Sequence, residues 1–261
     1  MKRGSLAIVG TGITLMSQLT AEAQARIASA DQVFFLVPHA LAEQWLRSLN
    51  PRAESLAGFY RSQRDRLDVY RAITEHILDA VRAGSSVCAA FYGHPSVFVT
   101  PTRDLVRQGR AEGYAVTVLP GISAEDCLFA DLDLDPGERG CQSYEATDFL
   151  LRPRRFDPST PLILWQVGVI GHRTVVDATL NPAKGLAILE ARLRQCYPAE
   201  HRVTIYEAPG LPTQDPVIVK LSLDQLPHAP VTAVSTLYVP PLAPPPIDAQ
   251  ILEQLGVSDE L

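Results

Sequence analysis

Short apolar runs alternate with helical patterns through the first half of the chain, and that order leaves few folds open. Ser5–Val9 reads as a buried strand. Thr20–Ala30 follows as a helix, with Thr20 as N-cap and Ala23, Ile27 and Ala30 on one side. Val33–Val37 is a second strand stopped by Pro38, and Leu41–Leu49 a short helix stopped by Asn50 and Pro51. A long helix runs from Asp65 to Ala83, with Gly84 as its C′ residue. Val87–Phe91, Pro101–Glu112 and Val116–Leu119 continue as strand, helix and strand. Such an order predicts an α/β fold with a largely parallel sheet covered by helices on both faces.

After Pro120 the repeat breaks down. Strands at Leu162–Val169, Val203–Tyr206, Val217–Lys220 and Val234–Val239 are spaced by loops and two helices. A mixed sheet in a second domain fits this spacing. The boundary falls near Leu119–Ile122, giving an N-terminal domain over 1–120 and a C-terminal domain over 121–261. The 261 residues are enough for two domains, and 46% apolar residues are enough to fill their cores. Pro240–Pro246, with five prolines in seven residues, reads as an extended connector.

Charge and cysteine usage exclude several functions. The net charge is −6, and the Arg and Lys residues are interleaved with acids. No basic stripe is left to track a nucleic-acid backbone. Cys88, Cys127, Cys141 and Cys196 form no CxxC pair, which points to buried free thiols and no metal site. The apolar run after Lys2 and Arg3 ends at Gly10, too soon for a signal peptide. No run approaches the roughly 20 residues needed to cross a bilayer, so the expectation is a cytoplasmic protein away from the membrane.

Four motifs carry candidate chemistry. Gly10-Thr-Gly12 follows the first strand, where glycines permit a tight turn and close approach to a ligand. A dinucleotide fingerprint wants a third glycine where Leu15 stands, and Asp31 precedes its strand, so a nicotinamide site is not expected. Tyr92-Gly-His-Pro-Ser-Val-Phe98 follows the strand ending at Phe91, at the strand end where α/β sheets bind ligands. It reads either as a rigid aromatic turn or as a loop holding a flat ligand. His94 has no neighbouring metal ligands and reads as a hydrogen-bonding residue. Pro120-Gly-Ile-Ser123-Ala-Glu-Asp126 contains a variant capping box, which explains it as helix initiation. It also offers free N–H groups at the expected domain junction. Last, Arg66 and Tyr70 lie one turn apart on a helix face continued by Ile73 and Ile77, close after Phe59-Tyr60. That segment reads as a snorkelling helix end unless other features assign it chemistry.

The opening Val9-Gly-Thr-Gly12, Leu19-Thr20, Ala30-Asp31 and Pro120-Gly-Ile-Ser123 resemble the tetrapyrrole (corrin/porphyrin) methylases. That resemblance implies two α/β domains with S-adenosylmethionine in the cleft between them. Two patterns depart from it: Gly10-Thr-Gly12-Ile-Thr-Leu15 where GxGPGD is usual, and Gly93-His94-Pro95 where GDP is usual. Both resemble another branch of the same fold, the borosin-type peptide backbone α-N-methyltransferases. Tyr92–Phe98 is similar to that branch's YGHPGVF, with Ser96 for glycine. Phe59-Tyr60, Arg66 and Tyr70 keep the spacing of its catalytic residues, while Ala57 stands where some fungal members have a further tyrosine. Asp135-Pro-Gly, Gln142–Ala146, Leu164-Trp-Gln166, Tyr206-Glu-Ala-Pro209 and Ser235-Thr236 extend the likeness over the chain.

The resemblance implies catalytic roles for Tyr60, Arg66, Tyr70 and Tyr92. It implies cofactor contacts at Gly10, Tyr92, His94, Val97, Phe98, Ser123, Ala124, Gln166, Tyr206, Ala208, Ser235 and Thr236. A peptide N–H is a very weak acid, so methylation needs a base and a place for negative charge on the amide oxygen. A phenol beside a guanidinium suits that task, because the cation favours the phenolate. Tyr70 or Tyr60 is expected to take the proton, Arg66 to favour the phenolate or hold the imidate oxygen, and Tyr92 to position the amide. The tail Ile251–Leu261 carries no run of Val, Ile and Gly, so the chain resembles a split bacterial form whose precursor peptide is a separate protein. A homodimer that assembles with the precursor as a heterotetramer is further implied. The alternatives are a tetrapyrrole C-methyltransferase and a peptide-binding relative without turnover.

Overall fold

A computed structural model describes residues 4–61, 65–172 and 181–256. The chain forms two compact units, one on Met1–Leu134 with Glu207–Val217, the other on Asp135–Gly171, Asn181–Tyr206 and Ile218–Leu261.

In the first unit the order is β1 (Ser5–Gly10), α1 (Ala21–Ser29), β2 (Gln32–Leu36), α2 (Ala40–Leu49), β3 (Ala53–Ser55), α3 (Arg66–Arg82), β4 (Ser86–Phe91), α4 (Thr100–Ala111), β5 (Ala115–Val118) and α5 (Ala124–Leu132). The five strands lie in the order β3-β2-β4-β1-β5, and every neighbouring pair is parallel. Side chains alternate between two buried faces. Val9, Val33, Phe35, Cys88 and Ala90 pack under Ala23 and Ile27 of α1 and Leu46 of α2. Leu6, Ile8, Phe34, Ala89 and Phe91 pack under Val69, Ile73 and Ile77 of α3 and Leu105 of α4. The crossover leaving β1 therefore runs over one face and that leaving β4 over the other, although the two strands are neighbours. This is the topological switch point, where α/β sheets open a crevice beyond the carboxyl ends of their strands.

The long helix begins at Asp65, whose side chain accepts from the Leu67 N–H. The short edge strand β3 was not expected. Buried Asn50 creates it: its Nδ2 donates to the carbonyls of Ile27 (2.9 Å) and Ala30 (3.0 Å), and its Oδ1 accepts from the Arg52 N–H (2.9 Å). What reads as a helix stop is thus a turn that delivers the chain back to the sheet. The sequence reading also placed α5 beyond the domain boundary at 120. It stays with the first unit, where Gln18 Nε2 donates to Cys127 Sγ at 3.4 Å.

The second unit contains α6 (Pro136–Arg139), β6 (Gln142–Glu145), α7 (Ala146–Leu151), β7 (Leu162–Trp165), α8 (Ala183–Leu193), β8 (Arg202–Glu207), β9 (Val217–Ser222), β10 (Thr236–Val239) and α9 (Ala249–Leu255). Its strand order is β6-β7-β10-β8-β9, with β6 parallel to β7 and β10 antiparallel to β7 and β8. The sheet is mixed, as expected. Leu186, Leu189 and Leu193 of α8 bury against Leu164, Ile205 and Leu237.

Two strand boundaries are corrected. β7 ends at Trp165 and not at Val169, because Gln166 turns left-handed (φ 60°, ψ 37°) into a 3-10 turn over Val167–Val169. Gly168 fixes that turn against the backbone: a β-carbon there would lie 1.9 Å from the Thr232 carbonyl oxygen. β10 begins at Thr236 and not at Val234, because Ser235 closes a turn by accepting the Thr232 N–H on its Oγ at 2.7 Å. The cysteines are also only partly as expected. Cys88 and Cys127 are buried free thiols, but Cys141 is half-buried and Cys196, in the turn after α8, is exposed. No helix among the described residues is long and apolar enough to cross a membrane.

Candidate active site

Three of the sequence motifs meet at the carboxyl ends of β1, β4 and β5. Their glycines make the meeting possible. A β-carbon on Gly10 would lie 2.2 Å from the Gly93 carbonyl oxygen and 2.8 Å from Pro95 Cδ. One on Gly121 would lie 3.1 Å from Gly10 Cα and 3.2 Å from the Gly93 oxygen. Gly93 and Gly12 bond to each other in both directions, at 2.9 and 3.3 Å. Gly10-Thr-Gly12, the Tyr92–Phe98 loop and Pro120-Gly121 are therefore one backbone cluster, held at the switch point by glycine-only approaches.

The Tyr92–Phe98 loop is tightly braced at its base and open at its tip. The Tyr92 N–H donates to the Leu36 carbonyl at 3.1 Å. His94 Nδ1 accepts from the Ser96 N–H at 3.0 Å, and its carbonyl accepts from the Val97 N–H at 3.1 Å. His94 thus acts as the hydrogen-bonding residue that the sequence suggests. Beyond it, Val97 is 39% and Phe98 51% exposed. Phe98 also has φ 56°, a left-handed conformation that is costly for an aromatic residue, on the order of 1 kcal/mol or more. Burial pushes the Tyr92 phenol up to about 12, with Cys127 adding to the effect. At neutral pH the Tyr92 phenol keeps its proton.

Ser123 caps α5 in a reciprocal arrangement. Its Oγ accepts from the Asp126 N–H at 3.3 Å, and Asp126 Oδ2 accepts from the Ser123 N–H at 2.7 Å. This leaves the N–H groups of Ala124 and Glu125, in the first turn, without an acceptor inside the helix. Ala208 lies in Glu207–Val217, which is tied to the first loop through Leu15 N–H to Gly210 O (3.0 Å) and Thr14 Oγ1 to Pro209 O (2.9 Å). Asp31 has a separate task at the other end of the sheet, accepting the Ser86 N–H at 2.9 Å.

In the second unit, Gln166, Tyr206, Ser235 and Thr236 are neighbours at one end of the sheet. Thr236 pairs with buried Tyr206 across β10 and β8. The Val167 N–H donates to the Ser235 carbonyl at 3.1 Å, which sets Gln166 beside them. Gln166 and Phe98 are two of the four non-glycine residues with positive φ among the described residues. Of the others, Asp133 is explained as the C-cap of α5. Two strained backbones thus coincide with expected contact residues.

The remaining candidates lie on α3 and the turn before it. Tyr60, in a 3-10 turn over Leu56–Arg61, packs half-buried against the core on that side of the sheet. Tyr70 is half-buried in the second turn of α3. Arg66 opens that helix, but its side chain, like residues 62–64, lies outside the described residues. Tyr92 lines a hollow together with Val37, Pro38 and Trp45.

Sequence reasoning missed Gln18. Its Oε1 accepts both the Ile13 N–H (2.8 Å) and the Thr14 N–H (2.9 Å), while its Nε2 reaches Cys127. A single polar residue in a loop carries no periodic signal that separates it from solvated neighbours.

The model of the tetrapyrrole (corrin/porphyrin) methylases matches residues 5–226. The chain belongs to that family. It is 41% identical over 264 residues to the methyltransferase/ribosomally synthesized cyclic peptide gymnopeptides precursor of Gymnopus fusipes, covering 99% of the chain but 63% of that relative. It is 38% identical over 268 residues to the methyltransferase/ribosomally synthesized type I borosin cyclic peptide precursor of Coprinopsis marcescibilis, covering 99% of the chain and 68% of that relative. Among solved structures it is similar to uroporphyrin-III-C-methyltransferase from Thermus thermophilus, with TM-score 0.66, 20% identity and 99% of both chains covered. At that identity the last likeness shows the fold alone.

Proposed function

We propose that this chain uses S-adenosylmethionine to methylate backbone nitrogens of a ribosomally made precursor peptide carried on a separate chain. The observation that carries the reading is the contact of Gly10, Gly93 and Gly121, which gathers three loops at the switch point. The substrate class is supported by the precursors named in relatives that match almost the whole chain. Supply of the peptide in trans, and a homodimer that assembles with it, are further parts of the reading.

S-adenosylmethionine, when bound, supplies an electrophilic methyl group on its sulfonium. The donor set of the first unit fits it. Exposed Phe98 offers an aromatic face, and the uncapped N–H groups at Ala124 and Glu125 suit a carboxylate. Gly10, Tyr92, His94, Val97, Ser123 and Ala208 complete that group.

Tyr70 or Tyr60 takes the amide proton, directly or through water. Arg66 begins α3 one turn before Tyr70, and its charge offsets the negative charge on the phenol or on the amide oxygen. Tyr92, held as a neutral phenol, donates a hydrogen bond that orients the amide. Holding the nitrogen in line accounts for much of the rate.

Incubation with methyl-labelled S-adenosylmethionine and a precursor peptide tests the reading. Label is expected in the peptide, with at least a tenfold lower rate for Tyr70→Phe if Tyr70 is the base. A protein that fails to bind the cofactor in calorimetry contradicts the assignment.

A further inference from the structure

We infer that Gln18 is a positioning residue that sets the first loop against α5 and so fixes the cradle for the cofactor. This rests on the reading of the site as a methyltransferase site. The geometry is specific. Ile13 and Thr14 are each 7% exposed, so their N–H groups need a protein partner. Both are accepted by one oxygen, Gln18 Oε1, at 2.8 and 2.9 Å. That approach needs a glycine at position 12, where a β-carbon would lie 2.3 Å from Gln18 Cβ. The same carboxamide donates to Cys127 Sγ at 3.4 Å. Cys127 is one turn beyond Ser123, whose carbonyl accepts its N–H at 3.2 Å. One side chain therefore ties the Gly10–Gly12 loop to the turn that carries Ser123 and Ala124. If Gln18 is lost, two buried N–H groups lose their acceptor and the loop is free to move relative to α5.

The test compares cofactor Kd by calorimetry, kcat, KM and melting temperature in four variants and the native protein. Gln18→Met keeps the volume and removes all three hydrogen bonds; it is expected to weaken S-adenosylmethionine binding about tenfold and to raise its KM in step. Gln18→Glu keeps the double acceptor but loses the N–H that reaches Cys127, and is expected to fall between native and Gln18→Met. Cys127→Ala is expected to weaken binding, and Cys127→Ser, which keeps a hydrogen-bonding atom, to restore it. If Gln18→Met does not fold, the cysteine pair decides: equal, native-like binding in both overturns the proposal. A folded Gln18→Met with native Kd and KM also overturns it. A native protein without affinity for S-adenosylmethionine overturns the functional reading as well, whereas native binding with unchanged variants overturns this inference alone.

Discussion

Gly10 and Gly93 approach so closely that a single β-carbon on Gly10 would stand 2.2 Å from the Gly93 carbonyl oxygen. Both belong to backbone that is bridged to its neighbours, so neither side yields cheaply. Gly10→Ala is therefore expected to cost about 2 kcal/mol or more and to weaken cofactor binding. Denaturant unfolding of the variant checks this; a stability within about 0.5 kcal/mol of native contradicts the packing described.

Tyr92 sets a pH signature. Its phenol is pushed up to about 12 in the fold, against about 10 in an unfolded chain. Between these values the folded chain keeps a proton that the unfolded chain has lost. The stability from this group is complete below pH ~10 and is lost as pH rises toward 12. Tyr92→Phe is expected to lose less stability than native between pH ~9.5 and ~11.5. Its kcat/KM falls about tenfold, for one lost hydrogen bond. The midpoint of the pH–rate profile stays put, because Tyr92 does not ionise there. A shifted midpoint contradicts its role as donor.

Gln166 is held left-handed at φ 60°. Gln166→Gly removes that strain and is expected to stabilise the protein by about 0.5–1 kcal/mol. If Gln166 contacts the cofactor, the same variant binds it more weakly. Thermal unfolding with and without S-adenosylmethionine separates the two effects: the variant melts higher alone and gains less from the ligand. Equal ligand-induced shifts remove Gln166 from the site.

Ser123 has two tasks that one substitution uncouples. Ser123→Ala breaks the capping box with Asp126 and is expected to cost about 1 kcal/mol. Ser123→Thr keeps the cap and restores most of the stability. Cofactor affinity that falls in the alanine variant but returns in the threonine variant marks the cap as the means by which Ala124 is presented. Affinity lost in both marks a steric role for Ser123 itself.

Much of the first unit was legible because its signals are local. Thr20 and Ser123 are N-caps in both sequence and structure, each accepting a main-chain N–H of the first turn. The parallel strands read as continuous apolar runs because both their faces are buried. The short elements were not legible. β3 exists because Asn50 reaches the carbonyls of Ile27 and Ala30, contacts across 23 and 20 positions that no local pattern announces. β7 was read too long because Val167 and Val169 look like strand residues; the turn depends on Gly168 meeting Thr232. The candidate site was legible loop by loop, whereas its assembly was not. That Gly10, Gly93 and Gly121 touch, and that Gln18 joins Ile13, Thr14 and Cys127, follows from strand order, with β1 between β4 and β5.

The central claim is that a peptide backbone nitrogen receives the methyl group. The direct measurement is tandem mass spectrometry of a precursor peptide after incubation with the purified protein and S-adenosylmethionine. Mass gains of one or more methyls, localised by fragmentation to main-chain nitrogens, are the predicted result. Cofactor binding without any gain on the peptide, together with methylation of a tetrapyrrole under the same conditions, contradicts it.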